Sequence, residues 1–219
     1  MLIQRAYSVQ GFQVVGGPSW ISTDGYDIEA KPEGNTGQKR MWLMVQALLA
    51  DRFKLSMHRE TRDLPVYDLQ AVKGGPKLKA PQGGACSEAL TGVPEPGRQR
   101  PAPPCGPGVI GDGTGLTMEG INVSMPAVAK LLSSLVGREV VDKTGFTGRF
   151  ALHLEFAMDD ALAGLPNPAG PDASGQPADP AARPTIRTAL QEQLGLKLQA
   201  STGPVDVFVV DRVERPTEN

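Results

Sequence analysis

Residues 124–156 read SMPAVAKLLSSLVGREVVDKTGFTGRFALHLEF, and two hydrophobic periods follow one another within them. Val128, Leu131, Leu132, Leu135 and Val136 recur at i, i+3, i+4, i+7 and i+8, which is the stripe of an amphipathic helix. Ser124 stands in the capping position, Pro126 falls in the first turn, and Gly137 is placed to stop the helix. After EVVD and a TGFTG turn the period drops to two. Phe150, Leu152, Leu154 and Phe156 alternate with Ala151, His153 and Glu155, the pattern of a half-buried strand. A stripe and an alternating strand so close together predict an α+β fold, with helices packed on one face of mixed or antiparallel sheets.

Outward from this stretch the elements come in the same order twice. Leu116–Glu119 precedes it as a short strand. Beyond residues 157–184, an Ala/Pro/Gly tract, Pro184 opens a helix with Ile186, Ala189, Leu190 and Leu194 on one face, and Gly195 ends it. Strands LKLQA (196–200) and VDVFVVDRV (205–213) follow. In the first half a helix through Leu2–Val9 stops at Gly11, then come FQVV and a GGPSW turn. Tyr26, Ile28 and Ala30 alternate with polar residues, a helix over Met41–Arg52 carries Trp42, Val45, Leu48 and Leu49, and strands FKLSMH (53–58) and PVYDLQAV (65–72) close the half. Gly11 to Trp20 and Gly137 to Phe146 share one spacing, and Phe53-Lys54-Leu55 mirrors Leu196-Lys197-Leu198. The expectation is two related β-α-β-β-α-β-β units, 1–73 and 116–213, the first lacking its opening strand, with 214–219 as a tail. Residues 74–115, with 11 Gly and 8 Pro, are expected to form the loop between them. Met1–Gly11 reads as the inside of a helix without a cap, so the domain is expected to begin upstream.

Composition narrows the function classes. Lys and Arg number 22 against 24 Asp and Glu, a net charge of −2, which lacks the basic footprint of a nucleic-acid binder. No run approaches the ~20 apolar residues of a membrane span. Gly (26) and Pro (20) take nearly twice their ordinary share of about 12 %. The two cysteines, Cys86 and Cys105, lie in the same Gly/Pro-rich loop. They either close a disulfide, worth about 3 kcal/mol in the chain-entropy model, or stand as two free thiols. The disulfide is the expectation, because exposed thiols are reactive, and it implies an oxidising compartment. No metal is expected, since zinc takes four ligands and no histidine sits near the cysteines.

GGPSWISTDGYDIEAK, LLADRFKLSMHRETRDLPVYDLQ, VVDKTGFTGRF and TALQEQLGLKLQASTGPVDVFVVDRVERPTEN together resemble a soil-bacterial family, abundant in Acidobacteria, known only as a domain of unknown function. The resemblance covers nearly the whole chain except the two linkers. It implies an extracytoplasmic location, periplasmic or secreted, because members carry an upstream signal peptide and some are fused to membrane-bound sensor-type metallopeptidases. It carries over no activity and no site residues. In element order each half also looks like the short α-β-β-α-β-β docking and ring-assembly domains of secretins and TonB-dependent transducers, a likeness of fold alone.

Five features invite a chemical reading. Asp142-Lys143-Thr144-Gly145 is the tetrapeptide that carries the phosphorylated aspartate in P-type ATPases, with Asp142 as nucleophile and a magnesium loop that Gly111-Asp112-Gly113 would have to supply. That loop precedes Asp142 instead of following it, and the related corner of the first half has Gly16 and no acid, so a structural turn is expected. Gly106-Pro107-Gly108-Val109-Ile110-Gly111 matches G-x-G-x-x-G but leads into a strand and not a helix, so no dinucleotide cofactor is expected. His58 and His153, the two histidines, alternate with apolar neighbours and are expected on solvent-facing strand positions. Residues 39–62 carry Lys39, Arg40, Arg52, Lys54, Arg59 and Arg62 against Asp51 and Glu60, either an anion- or partner-binding face or an ordinary solvated surface. Trp20 and Trp42 are expected to fill the core, unless Trp20 is exposed beside Gly16 and Gly17 as a sugar- or peptide-stacking edge.

The expected function is thus a non-catalytic extracytoplasmic binding or sensor-associated module without cofactor. Its partner is a protein or a small ligand, and Trp20, Tyr26, Lys39, Arg40, Arg59 and Arg62 are the candidate binding residues. The alternatives are a phosphoryl-transfer enzyme using Asp142 and an envelope assembly or docking module.

Overall fold

The computed structural model describes residues 2–29, 37–81, 105–111, 115–157 and 183–216. Cys86, Asp112 and nearly all of the 157–184 tract lie outside the described residues. The chain forms two compact units, the first built from Met1–Leu64 with Gly203–Asn219 and the second from Pro65–Thr202. The class is α+β, with one mixed and one antiparallel sheet.

In the second unit the alternation read from the sequence becomes strand β6 (Arg149–Phe156), whose Phe150, Leu152, Leu154 and Phe156 are buried while His153 and Glu155 are exposed. It pairs antiparallel with β4 (Leu116–Ser124), which pairs in turn with β3 (Gly108–Gly111). Helix α4 (Met125–Val136) lays Val128, Leu132 and Leu135 into the same core, and Leu131 and Val136 pack at its margin. Helix α5 (Ile186–Leu194) adds Ile186, Ala189, Leu190 and Leu194. Each such large side chain contributes ~1.5–3 kcal/mol when taken out of water. Gly195 ends α5 in the left-handed region at φ 64°, and a Cβ there would lie 2.8 Å from the Gly75 carbonyl oxygen. Ser124 occupies the N-cap of α4 as expected, although its hydroxyl makes no capping bond.

The first unit has its own core. Helix α1 (Leu2–Tyr7) packs Ile3 and Ala6 against Leu49 and Phe53, at the end of α3 (Gln38–Arg52), and against Leu55 and Val210. Trp20 and Trp42 are half-buried at its margin instead of filling it. The short strand β1 (Val14–Gly16) follows α1, and Trp20–Thr23 forms a single helical turn, α2.

Three readings are corrected. The two strands read from FKLSMH and PVYDLQAV are one, β2 (Ser56–Ala71), which starts after Phe53–Leu55, and those read from LKLQA and VDVFVVDRV are likewise one, β7 (Leu196–Arg212). Polar runs such as Arg59–Asp63 and the Gly203-Pro204 pair look like breaks. On an exposed ladder they need not be, because charged side chains point to water and a proline can sit where its nitrogen donates no ladder bond. The strand expected at 26–30 does not form over 26–29, and Ala30 lies outside the described residues. Alternation makes a strand only where a partner edge is available. Part of the loop assigned to 74–115 is also ordered: β3 arises from the G-x-G-x-x-G segment, and Lys79 makes a bridge to Ala151.

The long strands explain the discontinuous unit. β1 pairs in parallel with the far end of β7 (Val14 with Phe208, Gly16 with Val210), and β5 (Val140–Asp142) pairs in parallel with the far end of β2 (Tyr67 with Val140, Leu69 with Asp142). The compact units therefore follow these pairings and not the order of elements along the chain.

Ser133 ties α4 to β5. Buried at 2 % exposure, it donates to the Ala129 carbonyl at 2.9 Å and accepts the Val140 N–H at 2.8 Å. Ser133→Ala should cost about 1–3 kcal/mol, because it strands a buried amide. The exposed Ser134→Ala should cost almost nothing. Urea unfolding should show this as a lower midpoint at unchanged slope for Ser133→Ala alone.

Candidate functional site

The residues singled out from the sequence fall into separate places. In the first unit Trp20 and Tyr26 do meet, ring centroids 6.3 Å apart and edge to face, and Tyr26 stands at 5.3 Å on Phe53. Arg215, unsuspected from the sequence, lies over the Trp20 ring at 5.3 Å and donates to Asp24 at 2.7 Å. Trp20 thus already carries a guanidinium on its face. Tyr26 is 40 % exposed and Ile28 43 %.

The basic residues of 39–62 are largely answered by acids. Arg59 and Thr61 both bond Asp206, Arg62 bonds Glu60 at 2.9 Å, and Lys54 lies 3.8 Å from Asp51. His58 meets Asp211 at 2.8 Å through Nδ1. Two of these carboxylates sit on β7, nearly 150 residues away in sequence, so no local charge count reveals them. Lys39 and Arg40 stand exposed at the start of α3.

Asp142 is held in its own turn. One carboxylate oxygen accepts both the Thr144 N–H at 2.9 Å and the Thr144 hydroxyl at 2.7 Å, an arrangement that orders the corner after β5. Among the described residues no group of three or more His, Cys, Asp or Glu is placed to hold a metal. Asp112, whose distance from Asp142 the phosphoryl-transfer reading needs, lies outside the described residues.

A cleft of about 490 Å³ opens in the second unit. Lys77, Lys79 and Gln193 form one side, Glu119, Gly120 and Ile121 the other, and Ala151–His153 of β6 run between them. His153 faces solvent with its side chain 60 % exposed, opposite Glu119 in register and 3.6 Å from Glu155. Lys77 donates to the Glu192 carbonyl at 3.0 Å. Lys79 has no carboxylate partner among the described residues. Gly120 occupies its position because a Cβ there would lie 2.5 Å from the Gly106 carbonyl oxygen. Of this cleft the sequence reading singled out His153 alone. A second cationic feature sits elsewhere on the unit: Arg187 lies 4.7 Å over the Tyr67 ring and donates to its hydroxyl at 2.7 Å, with Arg138 5.6 Å from the same ring.

The family profile described as Protein of unknown function (DUF3738) matches residues 1–213. The chain belongs to this family. The match spans both units, so both belong to what the family shares. Neither a curated protein nor a solved structure matches the chain. Among the described residues no helix is long and apolar enough to cross a membrane.

The two units should respond oppositely to acid. Thr61 and Arg59 hold the Asp206 carboxyl below the ordinary carboxylate range, and Arg215 with Thr23 does the same for Asp24. A lowered folded value contributes stability above the unfolded pKa, and this is lost as pH falls through the folded one. Burial pushes Glu139, in the second unit, upward. There the folded state keeps a proton that the unfolded chain releases, so stability falls as pH rises through that window. As pH falls from neutral into the carboxylate range, amide exchange should therefore speed up first in the first unit. Glu139→Gln should stabilise the second unit at neutral pH.

Proposed function

We propose that this chain is a non-catalytic, extracytoplasmic binding or sensor-associated module. The single observation that carries the reading is the cleft of about 490 Å³ beside β6, which combines two cationic side chains, one carboxylate, one amide and apolar Ile121, Leu152 and Leu194. Ligand sites are concave, with apolar walls and a few placed polar groups. One Asp142 carboxylate oxygen is taken up by its own turn, which favours a structural role for that corner over phosphoryl transfer. The location rests on the resemblance stated above, which implies an upstream signal peptide and sensor-type metallopeptidase fusions among similar chains.

A Cys86–Cys105 disulfide belongs to the same proposal. Cys105 is not a free thiol among the described residues, which supports it. We also propose that the two halves arose by duplication. The support is the order α1-β1-α2-α3-β2 against α4-β5-β6-α5-β7, in which a helix, a short strand, a later helix and a long strand recur, with both short strands lying parallel to the far end of a long one.

Two measurements test the reading. A panel of short peptides, dicarboxylates and oligosaccharides should contain a class that raises the melting temperature saturably, since ligand at 100 times its Kd adds about 2.7 kcal/mol. Magnesium-dependent hydrolysis of a phosphate ester, abolished by Asp142→Asn, would overturn it. Maleimide should label neither cysteine in protein from the periplasmic fraction until a reductant is added. Labelling without reductant would remove the disulfide and the compartment inferred from it.

A further inference from the structure

Strand β6 is the last strand of its antiparallel sheet, in the order β3-β4-β6, so one side of it faces away from β4. Along that side the chain has been covered at two points. The Ala151 N–H donates to the Lys79 carbonyl at 3.0 Å. Four residues on, the Gln193 side-chain amide acts as a stand-in for a neighbouring strand: its Nε2 donates to the Glu155 carbonyl at 2.8 Å and its Oε1 accepts the Glu155 N–H at 3.0 Å. Backbone groups alternate in direction along a strand, so His153, midway between, turns its N–H and C=O the same way. Neither group has a partner among the described residues. Were the Lys79 bridge to continue, Lys77 would face His153. Instead the Lys77 N–H turns aside to the Leu194 carbonyl at 2.8 Å, and the space left is the cleft.

Resting on the binding-module reading, we infer that the His153 segment of the β6 edge takes up a short extended peptide bearing an acidic side chain, by strand addition between the Lys79 bridge and the Gln193 clamp. An unpaired edge is the template for such pairing, in which main-chain hydrogen bonds supply affinity and flanking pockets supply selectivity. The gap between the two covered points is one dipeptide repeat, which suits a single pair of main-chain bonds. Leu152 and Leu194 offer the apolar contacts. The charge comes from the lining: Lys77 and Lys79 against Glu119, with neither lysine paired to a carboxylate among the described residues. A carboxylate on the incoming strand answers that excess, whereas a second cation adds to it.

The test uses the full chain, labelled with nitrogen-15, and the probe acetyl-VDV-amide, short enough to lie between the two covered points, with its Asn and Lys counterparts in place of the Asp. The aspartate probe should shift the His153 amide resonance and slow its exchange, and should bind roughly threefold to tenfold more tightly than the lysine probe, the range of a few exposed ion pairs. Changing Lys77→Gln and Lys79→Gln together should erase that preference. His153→Pro, at an edge position where proline is tolerated, should abolish binding while the remaining resonances keep their folded dispersion. Gln193→Ala uncovers the Glu155 peptide group and lengthens the open edge, so it should tighten the aspartate probe; weaker or unchanged binding overturns strand addition, and this variant decides the question if His153→Pro misfolds. An undisturbed His153 amide at millimolar probe overturns the edge site. If some other ligand of the panel still stabilises the chain, the binding-module reading survives that result; if none does, both fall.

Discussion

Two three-residue strands, each lying parallel to a partner far away in sequence, set the terms for everything else. Parallel neighbours cannot be joined by a tight turn, so β1 and β5 have to find partners that their own flanking chain does not supply. They find them at the far ends of β7 and β2. That need requires both long strands to run on past the point where polar and turn-forming residues would otherwise end them. It also makes one unit discontinuous, closing residues Met1–Leu64 with Gly203–Asn219. The shared device extends to the ends of the strands: the Val72 N–H reaches the Gly195 carbonyl, and the Glu214 N–H reaches that of Phe53, each time where a long strand follows a helix.

The same pairings decide how the charges are used. Arg59 and Thr61 on β2 meet Asp206 on β7, and His58 meets Asp211. What looks in one dimension like a basic stretch is, once the strands are laid together, largely a ladder of exposed pairs. Exposed pairs contribute little stability individually, and they leave little unspent charge for a ligand. The second unit differs, because the chain after β2 bonds Leu194 at Lys77 and meets β6 at Lys79, leaving two lysines and the His153 edge peptide group around a cleft. The family match over residues 1–213 encloses all of these features.

Much of the local structure was legible in residue order. The stripe of α4, the alternation of β6 and the helix stops at Gly137 and Gly195 come from short-range rules, and the structure follows them. Those rules depend on which side of an element is apolar and on which residues accept a left-handed turn. The sequence-read candidates scattered. Trp20 and Tyr26 came together, but around an arginine from the C-terminal segment, and Arg59 and Arg62 were neutralised. Asp142 accepts from Thr144 within its own turn, a contact of two residues' span.

By itself, the sequence determined the class of fold, helices α1, α3, α4 and α5 with their apolar faces, and a near-neutral charge without a long apolar run, because each depends on composition or on neighbours within a few positions. Tertiary structure alone decided which strands are neighbours, which charges cancel, and that Lys77, Lys79, Glu119, His153 and Gln193 surround one cleft. These residues lie up to 116 positions apart and share no period. Only the register of β6 against β4, and the turning away of Lys77, brings them together, and neither follows from any local pattern.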